Sequence, residues 1–289
     1  MLKKNSKIDC FKNLLETYKW NSDKYKLKKV LTSGKSATAL VGSGAYVYII
    51  ENTFNKKDYI LKFFNSKNTR NLREIYTLCR ISGIKGVPEL KKYGITTLPK
   101  EYGNNLGKDK LFYICSIVKG DAISDMNIIF EKKTDVLFIS LEILKILQRI
   151  RERLGNDFEH YDLHVGNIIV DRKKSPPGVS IIDFDLADSK QLSFLPPETK
   201  WDKLKKGHLL GIIDEKISPS NFKFLWKWYK GITKISNIIF KHKRISNTDI
   251  WNWFIISSVL FDKNGLTDKL VSCNDIEDCM KKNFSSLRK

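Results

Sequence analysis

Asp162, Asn167 and Asp183 stand at spacings that suit the handling of phosphate. They lie in Phe-Glu-His-Tyr-Asp-Leu-His-Val-Gly-Asn-Ile-Ile-Val-Asp, a polar turn, and Val-Ser-Ile-Ile-Asp-Phe-Asp, running from Phe158 to Asp185. The amide oxygen of Asn167 and the carboxylate of Asp183 are hard donors of the kind Mg²⁺ takes, with water and nucleotide phosphates completing its shell. Asp162, five residues before Asn167 on the entering loop, can orient a hydroxyl and accept its proton. His160, Asp162 and Asn167 together fit the spacing H-x-D-x-x-x-x-N, so the chemistry this stretch suggests is phosphoryl transfer. His160 and His164 also stand four residues apart, as on a zinc-binding helix. Tyr161 replaces the glutamate of H-E-x-x-H, however, and no third ligand is evident.

These residues need a scaffold, and a hairpin is the one the pattern favours. Ile168 to Val170 and Val179 to Ile182 are short β-rich runs joined by Arg-Lys-Lys-Ser-Pro-Pro-Gly. A register symmetric about Ser175 would set Val170 against Ser180 and Asn167 against Asp183, with opposed Cβ atoms about 5 Å apart.

A nucleotide site also needs a phosphate cover and a cation upstream. Val41 to Ile50 reads as a strand interrupted by Gly42 and Gly44, and Gly42-Ser43-Gly44 would let backbone approach phosphates without a Cβ in the way. Val47 occupies the place of the third glycine in G-x-G-x-x-G. The next strand, Tyr59 to Phe64, pairs with the first across a polar turn and carries Lys62, 18 residues after Gly44. Leu72, Ile75 and Cys79 make a helical stripe over Arg70 to Ser82, stopped by Gly83. Glu74 is the one acid in that helix and the expected ion-pair partner of Lys62. Ser33-Gly34-Lys35-Ser36 is not the end of a P-loop, because Lys29 stands where G-x-x-x-x-G-K-[ST] needs glycine.

The ordered set Gly42, Gly44, Lys62, Glu74, Asp162, Asn167 and Asp183 resembles the eukaryotic-type protein kinase superfamily across most of the chain. Phe158 to Asn167 and Val179 to Asp183 look most like the haspin-like kinases, atypical Ser/Thr enzymes acting on histone tails. The resemblance implies an α+β, bilobal protein-kinase-like fold. Residues 1–29 would be a basic extension, 30–119 a small antiparallel β lobe with one main helix, and 120–289 a larger, mostly helical lobe. It implies ATP and Mg²⁺ as cofactors and Asp162 as catalytic base. Asn167 and Asp183 would hold the metal, Lys62 and Glu74 would align phosphates, and Gly42, Ser43 and Gly44 would cover them. Leu111 to Val118 would lead into the hinge, with Cys115 as gatekeeper and Ser116 to Val118 offering backbone hydrogen bonds to adenine.

Departures from the superfamily pattern qualify the likeness. Asp185 replaces the glycine of Asp-Phe-Gly, and Pro196-Pro197-Glu198 matches Ala-Pro-Glu only loosely. Tyr161 replaces the arginine that pairs with a phosphorylated activation loop, so activity without that switch is expected. Asp-Leu-His-x-Gly-Asn, with His164 in place of a lysine, also resembles choline, antibiotic and sugar kinases. A small-molecule kinase and a nucleotide-binding pseudokinase therefore remain alternatives.

The chain has 289 residues, 42% of them apolar, enough for one catalytic domain with a substantial core. A helix over Thr134 to Leu154, apolar nearly all round and stopped by Gly155, reads as a buried element just before the catalytic loop. Asp202 is the candidate for anchoring that loop from below. Phe222 to Arg244, with Trp226, Trp228 and many lysines, reads as large-lobe helices with a solvated basic face. The formal net charge of +20 favours polyanionic surroundings such as chromatin or an acidic substrate, in tension with a basic histone tail. Cysteines at 10, 79, 115, 273 and 279 show no paired spacing, so reduced thiols are expected. Without a signal peptide or spanning segment, an intracellular monomer is expected, nuclear by resemblance and charge, with the cytoplasm as alternative.

Overall fold

The computed structural model describes residues 17–33, 45–64, 69–102, 110–125, 130, 133–190, 249, 252, 253, 256, 257, 260 and 264. These form two compact units, the first running to Val118 and including Phe184–Ala187, the second holding Lys119–Asp183 and Asp188–Lys190, and their secondary structure is mixed α and β. Among the described residues no helix is long and apolar enough to cross a membrane.

The first unit is built on β1 (Thr17–Tyr18), β2 (Tyr25–Ser33), β3 (Ala45–Asn52), β4 (Asp58–Phe64), helix α1 (Thr69–Ile81), β5 (Leu90–Thr96) and β6 (Lys110–Ser116). Its six strands are ordered β1-β5-β6-β4-β3-β2, antiparallel except for β1 beside β5. β1 and the start of β2 lie inside the stretch read from sequence as a basic extension. The β3–β4 hairpin forms as its alternation predicts, and the side chain of Asn52 organises its turn by accepting from the N–H groups of Phe54 and Asn55.

Strands β4 and β6 are central and neighbouring, and consecutive residues along each are buried, so side chains on both of their faces are covered. This is why Leu-Phe-Tyr-Ile-Cys on β6 reads as a continuous apolar run. One face joins Tyr48, Ile50, Leu61, Phe63, Phe112 and Ile114 in an aromatic core, closed at the edge by Tyr25, Leu98 and Tyr102. Each such large side chain contributes about 1.5–3 kcal/mol when fully buried. The side chains that alternate with these, Lys62 and Phe64 on β4 with Tyr113 and Cys115 on β6, form the opposite face.

The second unit contains β7 (Asp121–Ala122), helix α2 (Lys133–Leu154), a 3₁₀ turn (Val165–Asn167), β8 (Ile168–Asp171) and β9 (Gly178–Ile181). α2 is the helix expected just before the catalytic loop, and it is buried on nearly every side from Val136 to Arg151. Glycines in positive φ follow both helices, Gly83 at 85° after α1 and Gly155 at 110° after α2. Asp249, Asn252, Trp253, Ile256, Ser257 and Leu260 are helical, buried and spaced by three and four. The Trp253 indole N–H donates to the Ser140 carbonyl of α2 at 2.8 Å, and the Ser140 and Ser257 hydroxyls bond each other.

The β8–β9 hairpin exists, but its register differs from the symmetric reading by one residue. Ile168 pairs with Ile181, Val170 with Val179 and Asp171 with Gly178. Gly178 therefore belongs to the strand and not to the turn. A Cβ at position 178 would stand 3.2 Å from both the Asp171 Cβ and the Lys174 Cδ, so glycine suits the close pairing there. Asn167 consequently does not oppose Asp183; its carbonyl instead accepts from the N–H of Ile182 at 3.0 Å.

Candidate active site

The sheet unit contributes an ion pair. Lys62 projects from the centre of β4, and its ammonium donates to Oε1 of Glu74 on α1 at 2.8 Å. Glu74 is 0% exposed and Lys62 8%, so the pair is held away from solvent. The same Glu74 oxygen accepts from the Tyr113 hydroxyl at 2.7 Å. Beside them Cys115 is buried and free, and burial, reinforced by the Glu74 carboxylate, pushes its thiol up to about 12. Cys79 is instead disulfide-bonded, against the expectation that all five thiols are reduced.

Ser116 closes β6 and exchanges two bonds with Glu89. Its N–H donates to the Glu89 carbonyl at 2.9 Å, and its hydroxyl accepts from the Glu89 N–H at 2.9 Å. A backbone contact from Ser116 to a ligand would therefore use its carbonyl. Val118 lies in the irregular segment that follows β6. Gly42, Ser43 and Gly44 lie outside the described residues, as do Pro196 to Glu198, Asp202 and the 222–244 stretch.

The second unit holds its acids through backbone geometry. His160 is fully buried, and its N–H donates to both carboxylate oxygens of Asp249, at 3.0 and 3.2 Å. Its Nδ1 accepts from the Asp162 N–H at 3.3 Å, so the neutral ring carries its proton on Nε2, 3.3 Å from the Ile182 carbonyl. Burial lowers the His160 pKa to about 4, outweighing the opposing pull of Asp162 and Asp183. The histidine is thus a neutral strut between the loop and the end of β9.

Asp162 itself is buried, and its carbonyl accepts from the Asn167 side-chain nitrogen at 2.8 Å. Because only the amide nitrogen can donate, this bond fixes which way the amide faces and leaves Oδ1 as its ligand atom. His164 caps the 3₁₀ turn, its Nδ1 accepting from the Gly166 N–H at 3.0 Å. Tyr161 and Asp183 both adopt a left-handed backbone with φ of 60°, a conformation costing about 1–2 kcal/mol in non-glycine residues. At Asp183 this bend turns the chain out of the ladder and redirects the carboxylate despite the shifted register. Ligand oxygens of Asp162 and Asp183 lie within 4.8 Å of each other. With Asn167 Oδ1, these hard oxygen donors fit Mg²⁺ and not a soft metal.

Two residues here, Asp249 and Tyr113, had no assigned role from sequence. Asp249 anchors the loop at His160, the task assigned above to Asp202. Its one signal is that it leads the apolar stretch continuing through Trp253, 89 residues from its partner. Tyr113 was hidden inside an apolar strand.

The family described as Haspin like kinase domain matches residues 6–204, more than half of the chain. No curated protein matches it.

Proposed function

The chain belongs to the haspin-like kinase family, which makes it a phosphotransferase of the protein-kinase kind, and from that premise we propose that it transfers the γ-phosphoryl of Mg-ATP to a serine or threonine hydroxyl of a protein. In this reading Asp162 orients the acceptor hydroxyl and takes its proton as the oxygen–phosphorus bond forms and the bond to ADP breaks. Asp183 and Asn167 would hold Mg²⁺, which when bound neutralises phosphate charge. Lys62, kept in place by Glu74, would orient the α- and β-phosphates. Gly42, Ser43 and Gly44 would cover those phosphates, and Ser116 and Val118 would meet adenine. The same proposal includes the bilobal kinase arrangement, with a small lobe over residues 30–119 and a large lobe over 120–289.

One observation carries this reading most directly. The Asp162 and Asp183 carboxylates converge beside an asparagine whose amide is already oriented by Asp162. The test is labelled ATP with Mg²⁺ and a mixed panel of histones, acidic and basic proteins and small alcohols, with Asp162→Asn as the blank. Label on serine or threonine of a protein, absent from the blank, is the expected result. Label on a small alcohol would replace the protein substrate. Absence of any Asp162-dependent label would sink the proposal.

A further inference from the structure

Tyr113 on β6 stands directly across the ladder from Lys62 on β4. Opposed residues on paired strands project from the same face with Cβ atoms about 5 Å apart. Both side chains end on one atom, Glu74 Oε1, the Tyr113 hydroxyl at 2.7 Å and the Lys62 ammonium at 2.8 Å. Tyr113 is only 6% exposed. Phe64, two residues along from Lys62, closes the group, its ring centroid 5.9 Å from that of Tyr113 and 5.6 Å from the Lys62 nitrogen.

An ammonium on a flexible stem is a point charge with rotatable donors, so it does not by itself fix the direction of a carboxylate. A phenol on a packed ring does. Hydrogen bonds to a carboxylate are also stronger than neutral ones, and more so where water is excluded. We propose that Tyr113 is a positioning residue whose hydroxyl fixes the Glu74 carboxylate, and through it helix α1 and the Lys62 ammonium. The alignment is then built into the sheet. This rests on the kinase reading for its consequence in turnover, but not for its structural claim.

The test compares Tyr113→Phe with Tyr48→Phe, which removes another buried hydroxyl of the same sheet, one that bonds the Tyr102 carbonyl on the opposite face. Amide hydrogen exchange over Thr69–Ile81 is read together with kcat and the KM for ATP. Tyr113→Phe should speed exchange in the helix about tenfold and lower kcat about tenfold, as loss of one hydrogen bond to a charged group implies. The KM should stay within about threefold. Tyr48→Phe should do neither. Unchanged helix exchange in Tyr113→Phe, or a lowered melting temperature with unchanged kcat, overturns the proposal.

Exchange needs no turnover, so a wild type without transferase activity would remove the proposed function while the helix still decides the role of Tyr113. Should Tyr113→Phe not fold, Glu74→Gln and Glu74→Met serve in its place. Glutamine keeps an acceptor oxygen for Tyr113 and should keep the helix protected, whereas methionine should not. Equal loss in both overturns the assignment.

Discussion

The two units hold their chemical groups by opposite means. In the sheet unit a cation, an anion and a hydroxyl close on one another, with Lys62, Glu74 and Tyr113 sharing a single oxygen inside the protein. In the hairpin unit two carboxylates, Asp162 and Asp183, are brought within 4.8 Å, held by backbone bends at Tyr161 and Asp183, by a neutral histidine and by an oriented amide. Like charges at that spacing repel one another. The first arrangement contributes rigidity, while the second costs stability and is explicable by a cation that it would hold.

The largest expected effect tests that difference at the acids. Asp162→Asn should lower turnover about a thousandfold while leaving ATP binding in place. Asp183→Asn should weaken Mg²⁺-dependent nucleotide binding as well. Neither should lower the melting temperature, because each removes one charge from a repelling cluster. Calorimetry alongside turnover checks both halves, and a marked loss of stability in either variant would break the contrast.

Glu74→Ala should behave in the opposite way. It strands a buried ammonium and a buried hydroxyl together, and removing one partner of such a pair costs about 3–5 kcal/mol. A denaturant titration should show the loss. If the variant melts like the wild type, the sheet site is no more built-in than the acid cluster.

Local patterns made most of the sheet site legible, whereas contacts between distant residues did not. Alternation over Tyr59 to Phe64 and the stripe over Leu72, Ile75 and Cys79 place Lys62 and Glu74 on adjacent elements without any knowledge of the fold. Tyr113 escaped because a strand covered on both faces reads as uniformly apolar, which hides the polar end of an aromatic ring. The acids were found by spacing, but their geometry was not. Gly178 joins the strand and shifts the hairpin register, and a left-handed Asp183 restores what the shift removes. Asp249 meets His160 across 89 residues, and its place at the head of an apolar stretch does not say which residue it meets.

A smaller effect should separate the units by pH. The folded pKa of His160 is about 4, below the ordinary value of 6.5, because burial disfavours the charged ring. Between those values the unfolded chain binds a proton that the folded chain does not. The contribution is therefore complete above about pH 6.5, falls as pH drops toward 4, and amounts to about 3 kcal/mol at most. Melting temperatures from pH 7 to pH 4 should fall more steeply in the wild type than in His160→Gln, with nucleotide and Mg²⁺ absent. Parallel curves would mean that His160 is not the neutral strut described.

The smallest effect concerns the 3₁₀ turn that delivers Asn167. A Cβ on Gly166 would stand 2.8 Å from Cε1 and 3.1 Å from Nδ1 of the His164 ring, which is exposed at the loop surface. The ring can swing away, so Gly166→Ala should not unfold the loop. What it loses is the bond from the Gly166 N–H to His164 Nδ1, worth about 1 kcal/mol. Hydrogen exchange should rise at Val165–Asn167 and stay unchanged in α1, because the turn is held by its own cap and the helix by Glu74. An equal rise in both would mean that the two sites share one support, and the contrast between them would fail.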